Sequence, residues 1–184
     1  MKNIFLTGDI QVGKSTLIKR ILEKDQGQVC GFKTVPFYLN DESRLFQLNR
    51  FFPEQINNEQ PLLVCKKTEN GKLTGIPEVF DQWGVRILEA CLNAKPDIII
   101  MDELGLFESE AYDFQKSVWR CLDSPIPVLG VLKAKNSPFL DRVREREDVL
   151  IIEITEANRE ENYHLLDRLI KRVNSPDISM DNDH

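Results

Sequence analysis

The sequence predicts an α/β fold of three layers: a mostly parallel sheet with helices on both faces and an antiparallel hairpin at one edge. Three observations carry that expectation. Short apolar runs alternate with segments whose apolar residues recur at helical spacing, the pattern of parallel strands joined by crossover helices. The run Ile98-Ile99-Ile100-Met101 is apolar at every position, as a strand covered on both faces must be. A glycine-rich segment, residues 8–15, falls between the first such strand and the first such helix.

Size and composition set the bounds. A chain of 184 residues suits one domain, read here as residues 1–173, followed by a polar tail over 174–184 that is expected to be disordered. The 30 acidic and 24 basic residues give a net charge of -6, which argues against a general nucleic-acid or anionic-membrane partner. No run approaches the ~18 apolar residues of a membrane span, and Ile4-Phe5-Leu6 is too short for a signal-peptide core. Cys30, Cys65, Cys91 and Cys121 are widely spaced without a C-x-x-C, so they read as reduced, buried thiols of a cytoplasmic protein.

Taken in order, residues 3–7 form a short strand and 15–24 a helix with Leu17, Ile18, Ile21 and Leu22 on one face. Residues 29–35 form a second strand. The 36–60 segment is hard to read: Asn40-Asp41-Glu42-Ser43 signals a turn, while Leu45-Phe46 and Phe51-Phe52 are apolar pairs without clear period. Residues 61–76, centred on Asn70-Gly71, predict the edge hairpin, because both turn positions tolerate positive φ. Pro77 opens a helix to residue 95 whose stripe is Phe80, Trp83, Ile87, Leu88, Cys91 and Leu92, with Gly84 as a weak point. A strand over 97–102 precedes a helix carrying Ala111, Phe114, Val118 and Leu122. A strand over 127–134, a charged helix over 137–147 and a strand over 149–154 follow. Asn158 with Glu161 fits a capping box opening a last helix, with Leu165, Leu166, Leu169 and Val173 inward. Trp83 and Trp119 are read as core.

The chemistry lies in Gly8-Asp9-Ile10-Gln11-Val12-Gly13-Lys14-Ser15, which fits G-x-x-x-x-G-K-[ST], the P-loop or Walker A pattern. Its glycines let the backbone curl so that successive N–H groups, through to Thr16, point at phosphate oxygens. Lys14 neutralises the β- and γ-phosphates, the Ser15 hydroxyl ligates Mg²⁺, and the following helix adds its positive dipole end. By chance the pattern occurs in about one chain of this length in a hundred. Its position between a strand and an amphipathic helix sets aside an incidental turn. Asp102, ending an apolar strand, is the candidate Walker B acid for Mg²⁺, and Glu103 the candidate to activate a water. Each also has a plainer reading, as a turn acid and as a structural carboxylate.

Beyond these motifs, Gly31-Phe32-Lys33-Thr34, Asp102-Glu103-Leu104-Gly105-Leu106-Phe107-Glu108 and Thr155-Glu156-Ala157-Asn158-Arg159 stand in the order and spacing of a known family. The chain resembles the small nucleoside-triphosphatases that include thermophile enzymes and the cancer-related nucleoside triphosphatase, over roughly residues 3–172. That resemblance implies a RecA-like P-loop fold and slow Mg²⁺-dependent hydrolysis of several nucleoside triphosphates to diphosphate and phosphate. Three departures stand out. Leu106 replaces a lysine, the interior Asp9-Ile10-Gln11-Val12 lacks a Pro-Gly pair, and Val35-Pro36-Phe37-Tyr38 replaces an acidic, arginine-containing strand.

Hydrolysis also calls for a cation near the γ-phosphate. Lys133, Lys135, Arg142, Arg144, Arg146 and Arg159 are candidates, each with a solvated-surface alternative, and Asn158 is a candidate base contact with a competing role as a helix cap. Three functions stay open on the residues alone: a triphosphatase, a small phosphotransferase whose 36–60 segment closes over an acceptor, and a nucleotide-gated accessory protein. The resemblance favours the first. No Asn-Lys-x-Asp base-reading motif is present, so ATP and GTP both stand as ligands. No protein partner is indicated.

Overall fold

The computed structural model describes residues 2–24, 27–40, 43–51 and 62–174. Asp41 and Glu42 of the expected turn, residues 52–61 including Phe52, and residues 175–184 of the expected tail lie outside the described residues, while Asn174 ends the last helix.

Eight strands and six α-helical segments are described. In chain order they are β1 (Asn3–Thr7), α1 (Lys14–Lys24), β2 (Val29–Asn40), β3 (Ser43–Phe51), β4 (Cys65–Lys67), β5 (Leu73–Gly75), α2 (Pro77–Val79), α3 (Val85–Ala94), β6 (Ile98–Leu104), α4 (Tyr112–Asp123), β7 (Val128–Leu132), α5 (Pro138–Arg144), β8 (Val149–Glu153) and α6 (Arg159–Asn174). The main sheet has the order β3-β2-β6-β7-β1-β8. All neighbours in it are parallel except β2 and β3, which run antiparallel. The antiparallel edge is therefore the pair β2 and β3, and Asn40 and Ser43, the ends of the expected turn, are partners across it. The hairpin expected over 61–76 forms, but as a separate two-stranded sheet of β4 and β5.

Alternating residues divide the core into two layers. Ile4 and Leu6 of β1 face α1 and α6, packing on Leu17, Ile18, Ile21, Leu166 and Ile170. Phe5 faces the opposite side, where Phe80, Leu88, Cys91, Phe114, Val118 and Leu140 pack. On α6 the buried pair is Leu166 and Ile170, with Leu165 and Leu169 at its margin; Val173 lies outside the described side chains. At the base of the sheet the buried Asn3 side chain is fully used. Its Nδ2 donates to Leu122 O at 3.1 Å and Asp148 Oδ2 at 2.9 Å, and its Oδ1 accepts from Val128 N at 3.3 Å.

The predicted 77–95 helix is continuous but widens into a π-helical stretch over Phe80–Gly84. Gly84 is there for proximity: a Cβ on it would sit 2.5 Å from Phe114 Cδ2. Trp83 is not core. It is 36% exposed, with the Arg86 guanidinium 5.2 Å from its ring centroid, because the π turn rotates it off the buried stripe. Trp119 does pack inward, edge-on to Phe139 at 5.5 Å. All four cysteines are free and buried. Among the described residues no helix is long and apolar enough to cross a membrane.

Candidate nucleotide-phosphate site

β1 delivers the chain to the C-terminal edge of the sheet, where residues 8–13 curl back before α1 begins. Three residues take positive φ: Gly8 at 127°, Gln11 at 68° and Gly13 at 97°. At Gly8 no side chain fits, since a Cβ would lie 2.2 Å from Ile154 O. The Lys14 ammonium wraps the loop, donating to Gly8 O at 2.9 Å and Asp9 O at 2.5 Å. Burial lowers the Lys14 pKa, against the opposing pull of Glu103, Asp102 and Asp9.

Two strands away, β6 ends on the acids. The Ser15 hydroxyl donates to Asp102 Oδ1 at 3.0 Å, and Lys33 Nζ stands 3.5 Å from Asp102 Oδ2. Asp102 is 3% exposed; burial raises its pKa, and Lys33 and Ser15 only partly oppose that. Glu103, next along, pairs with Lys133 Nζ at 3.3 Å. The turn that follows is fixed by Glu108, whose Oε1 accepts from Gly105 N. Glu108 is 2% exposed, and burial pushes its carboxyl up to about 7.

Two clefts meet at Glu103. One, of about 480 Å³, is lined by Gly8, Ile10, Gln11, Gly13, Lys14, Ser15 and Thr16, and on its far side by Arg44, Phe46, Glu103 and Lys133. The other, of about 440 Å³, shares Ser15, Arg44, Phe46, Glu103 and Lys133 and extends to Thr34, Lys72, Thr74 and Glu108. Of the candidate residues in the loop, Asp9 and Val12 line neither cleft. Asp9 is exposed and offers its carbonyl to Lys14, while Val12 turns toward the α1 core.

The loop, the Ser15–Asp102 contact and Glu103 thus share one edge of a sheet of RecA-like layering. The sequence profile of the family described as NTPase matches residues 3–166. The chain belongs to that family. The nucleoside-triphosphatase THEP1 of Natranaerobius thermophilus is 30% identical over 175 residues, covering 93% of this chain and 96% of its own length. The crystal structure of THEP1 from the hyperthermophile Aquifex aeolicus superposes with a TM-score of 0.70 at 22% identity, over 92% of this chain and 99% of that one, and speaks for the fold. The solution structure of a human cancer-related nucleoside triphosphatase matches with a TM-score of 0.62 at 25% identity, over 94% of this chain and 97% of its own.

Within this NTPase family member the candidate cations separate clearly. Lys133 lines both clefts, whereas Lys135, Arg142 and Asn158 line neither. The Arg142 guanidinium lies over Trp119 at 5.1 Å, and Arg144 donates to the carbonyls of Lys133 and Lys135 at 2.6 and 2.9 Å. Arg146 is held by Asp148 and Asp123. Arg159 lies against the loop, its Cδ 2.9 Å from where a Cβ on Gly13 would be. The capping box at Asn158 does not form. Its Oδ1 accepts from Thr155 N at 2.8 Å and its Nδ2 donates to Glu153 O at 3.0 Å, so the side chain bonds backward and shapes the β8–α6 connection. Three residues of the site escaped the sequence reading: Lys33, Arg44 and Phe46. Lys33 stood inside the Gly-Phe-Lys-Thr strand as an unassigned position, and the other two lay in the segment without clear period.

Proposed function

We propose that this chain hydrolyses nucleoside triphosphates to diphosphate and phosphate in a Mg²⁺-dependent reaction, with Glu103 as the general base. The observation that carries the reading is the convergence of the glycine loop, the Ser15–Asp102 pair and Glu103 around one cleft. The site fits Mg²⁺: a hydroxyl and a buried carboxylate 3.0 Å apart are hard oxygen donors, of the kind used when phosphates and water complete the shell. When bound by Ser15 and Asp102, Mg²⁺ would neutralise charge on the β- and γ-phosphate oxygens.

The chain's own residues do the rest. Main-chain N–H groups of the loop and of the start of α1 hold the phosphates, and Lys14 turns from its two carbonyls toward the β–γ bridge. Glu103 takes the proton of a water as its oxygen bonds to the γ-phosphorus and the bond to the bridging oxygen breaks, leaving the diphosphate. Lys133, 3.3 Å from Glu103, aims that carboxylate. ATP and GTP both serve in this reading, because the loop addresses phosphates rather than a base.

Phosphate release from ATP and GTP with Mg²⁺, compared among wild type, Glu103→Gln and Lys14→Ala, tests the reading. Wild type is expected to exceed both variants. Turnover no faster than that of Glu103→Gln, with nucleotide still bound, overturns hydrolysis by this mechanism. Tight triphosphate binding by Lys14→Ala overturns the loop's role.

One observation favours a second reading, phosphoryl transfer to a hydroxyl-bearing acceptor: the 440 Å³ cleft continues past Ser15 and Glu103 to Thr34, Lys72, Thr74 and Glu108. Supplying candidate alcohols and nucleoside monophosphates with γ-labelled ATP separates the two, since transfer labels the acceptor and hydrolysis labels only free phosphate.

A further inference from the structure

Charge spreads over the γ-phosphate oxygens as the terminal phosphoryl group departs, and a fixed cation aimed at them accelerates the step. Most cations near the site are engaged. Lys14 bonds to its own loop, Lys33 faces Asp102, and Lys133 pairs with Glu103. Arg144 and Arg146 are tied to neighbouring carbonyls and carboxylates, and Arg142 lies on Trp119. Arg44 differs. It lines both clefts beside Glu103 and Lys133, and among the described residues it has no carboxylate partner.

The sheet explains how Arg44 reaches this place. β2 pairs with β6 from Val29 to Lys33 and with β3 from Gly31 to Asn40, so beyond Lys33 only the β3 pairing continues. The two strands thus continue as a ribbon past the sheet edge that carries Asp102. Strand alternation puts Leu48, Phe46 and Arg44 on one face of β3, opposite Thr34, Pro36 and Tyr38 of β2. Leu48 is buried in the core, Phe46 packs against Phe107 at 5.6 Å, and Thr34, Pro36 and Phe46 line a cleft. That face is therefore the inner one, and Arg44 is its outlying cation. Its guanidinium carbon stands 5.0 Å from the Phe46 ring centroid, so the ring props the fork in place.

We propose that Arg44 is a catalytic cation supplied in cis by the β2–β3 ribbon, and the proposal rests on the hydrolase reading above. As the water oxygen bonds to the γ-phosphorus, its proton passing to Glu103, and the bond to the bridging oxygen breaks, the guanidinium N–H groups donate to the γ-phosphate oxygens. The diphosphate leaves with the electrons of the broken bond.

The test uses the full chain as wild type, Arg44→Ala and Arg44→Lys, with Mg²⁺ throughout. Arg44→Ala is expected to lower kcat for ATP about 10²- to 10³-fold, with KM moved less than about threefold and Arg44→Lys recovering part of the loss. A second readout is ADP affinity with and without aluminium fluoride, which mimics the departing phosphoryl group. The fluoride should tighten ADP binding in wild type and not in Arg44→Ala, while ADP alone binds both equally. Arg44→Gln, which keeps an uncharged stem over Phe46, carries the same expectation if the alanine variant melts early. Turnover of Arg44→Ala within about threefold of wild type, or equal fluoride tightening in both, overturns the Arg44 role and leaves the hydrolase reading standing. Wild type that neither exceeds Glu103→Gln in turnover nor tightens on ADP with fluoride overturns the hydrolase reading and the Arg44 role together.

Discussion

The Ser15 hydroxyl and the Asp102 carboxylate meet at 3.0 Å although β1, which leads into the Ser15 loop, and β6, which carries Asp102, are separated in the sheet by β7. Asp102 is buried, its pKa raised by lost hydration, and Lys33 and Ser15 offset that cost only in part. Such a carboxylate gains from a divalent cation and loses little if neutralised beforehand. Asp102→Asn should therefore leave the melting temperature of the nucleotide-free protein unchanged or higher, and lower Mg²⁺-dependent phosphate release at least about tenfold to a hundredfold. Calorimetry and a Mg²⁺ titration measure the two effects. A variant that is strongly destabilised yet keeps its Mg²⁺ dependence contradicts this account.

Lys133 and Glu103 are each about one-third exposed, so their ion pair matters for aim more than for stability. Lys133→Ala is expected to change unfolding free energy by less than about 1 kcal/mol while cutting turnover. Because Lys133 acts through Glu103, the double variant with Glu103→Gln should be no slower than Glu103→Gln alone. Multiplying losses would show that Lys133 works independently.

Gly8 has no room for a methyl group and a φ of 127°. Gly8→Ala must push β1 away from the Ile154 carbonyl, and denaturant melts should register a loss of about 2–4 kcal/mol together with loss of nucleotide binding. A loss within about 0.5 kcal/mol would mean the loop reaches β8 differently.

Glu108 gives the fold a pH dependence of definite sign. Its folded pKa is about 7 and its ordinary value 4.5, so its contribution is fully present below about pH 4.5 and is lost as pH rises through about 7. Glutamine keeps an acceptor for Gly105 N and has no proton to lose. The stability of Glu108→Gln relative to wild type should therefore grow between pH 5 and 8, by on the order of 3 kcal/mol at most. A difference that stays flat across that range assigns the titration elsewhere.

The parallel core was legible because β1, β6 and β7 are buried on both faces and, with β8 at the edge, are built on continuous apolar runs. The loop was legible because its chemistry is written in eight consecutive residues. The β2–β3 ribbon was not, for a physical reason: Leu45 and Leu48, of opposite parity, are both buried, so the strand lacks a clean period of two. Arg44 became meaningful only once the ribbon's inner face was known. Asn158 misled because an asparagine before a helix bonds equally well forward to its amides or backward to the preceding loop. Trp83 misled because a π turn shifts the stripe by part of a residue, which no 3.6-residue count anticipates.

The thiols turn the molecule into its own opening gauge. Cys30, Cys91 and Cys121 lie together in the layer between the sheet and α3 and α4, all essentially sealed, with the Cys121 thiol pushed up to about 12 by burial. A thiol reagent reaches them only when that layer parts, so the labelling rate counts those excursions without an engineered cysteine. The glycine loop belongs to the opposite layer with α1 and α6, against which Val12 packs. Slower labelling on binding ATP would then measure how far order imposed at the loop travels across the sheet, in a chain whose cysteines touch no phosphate.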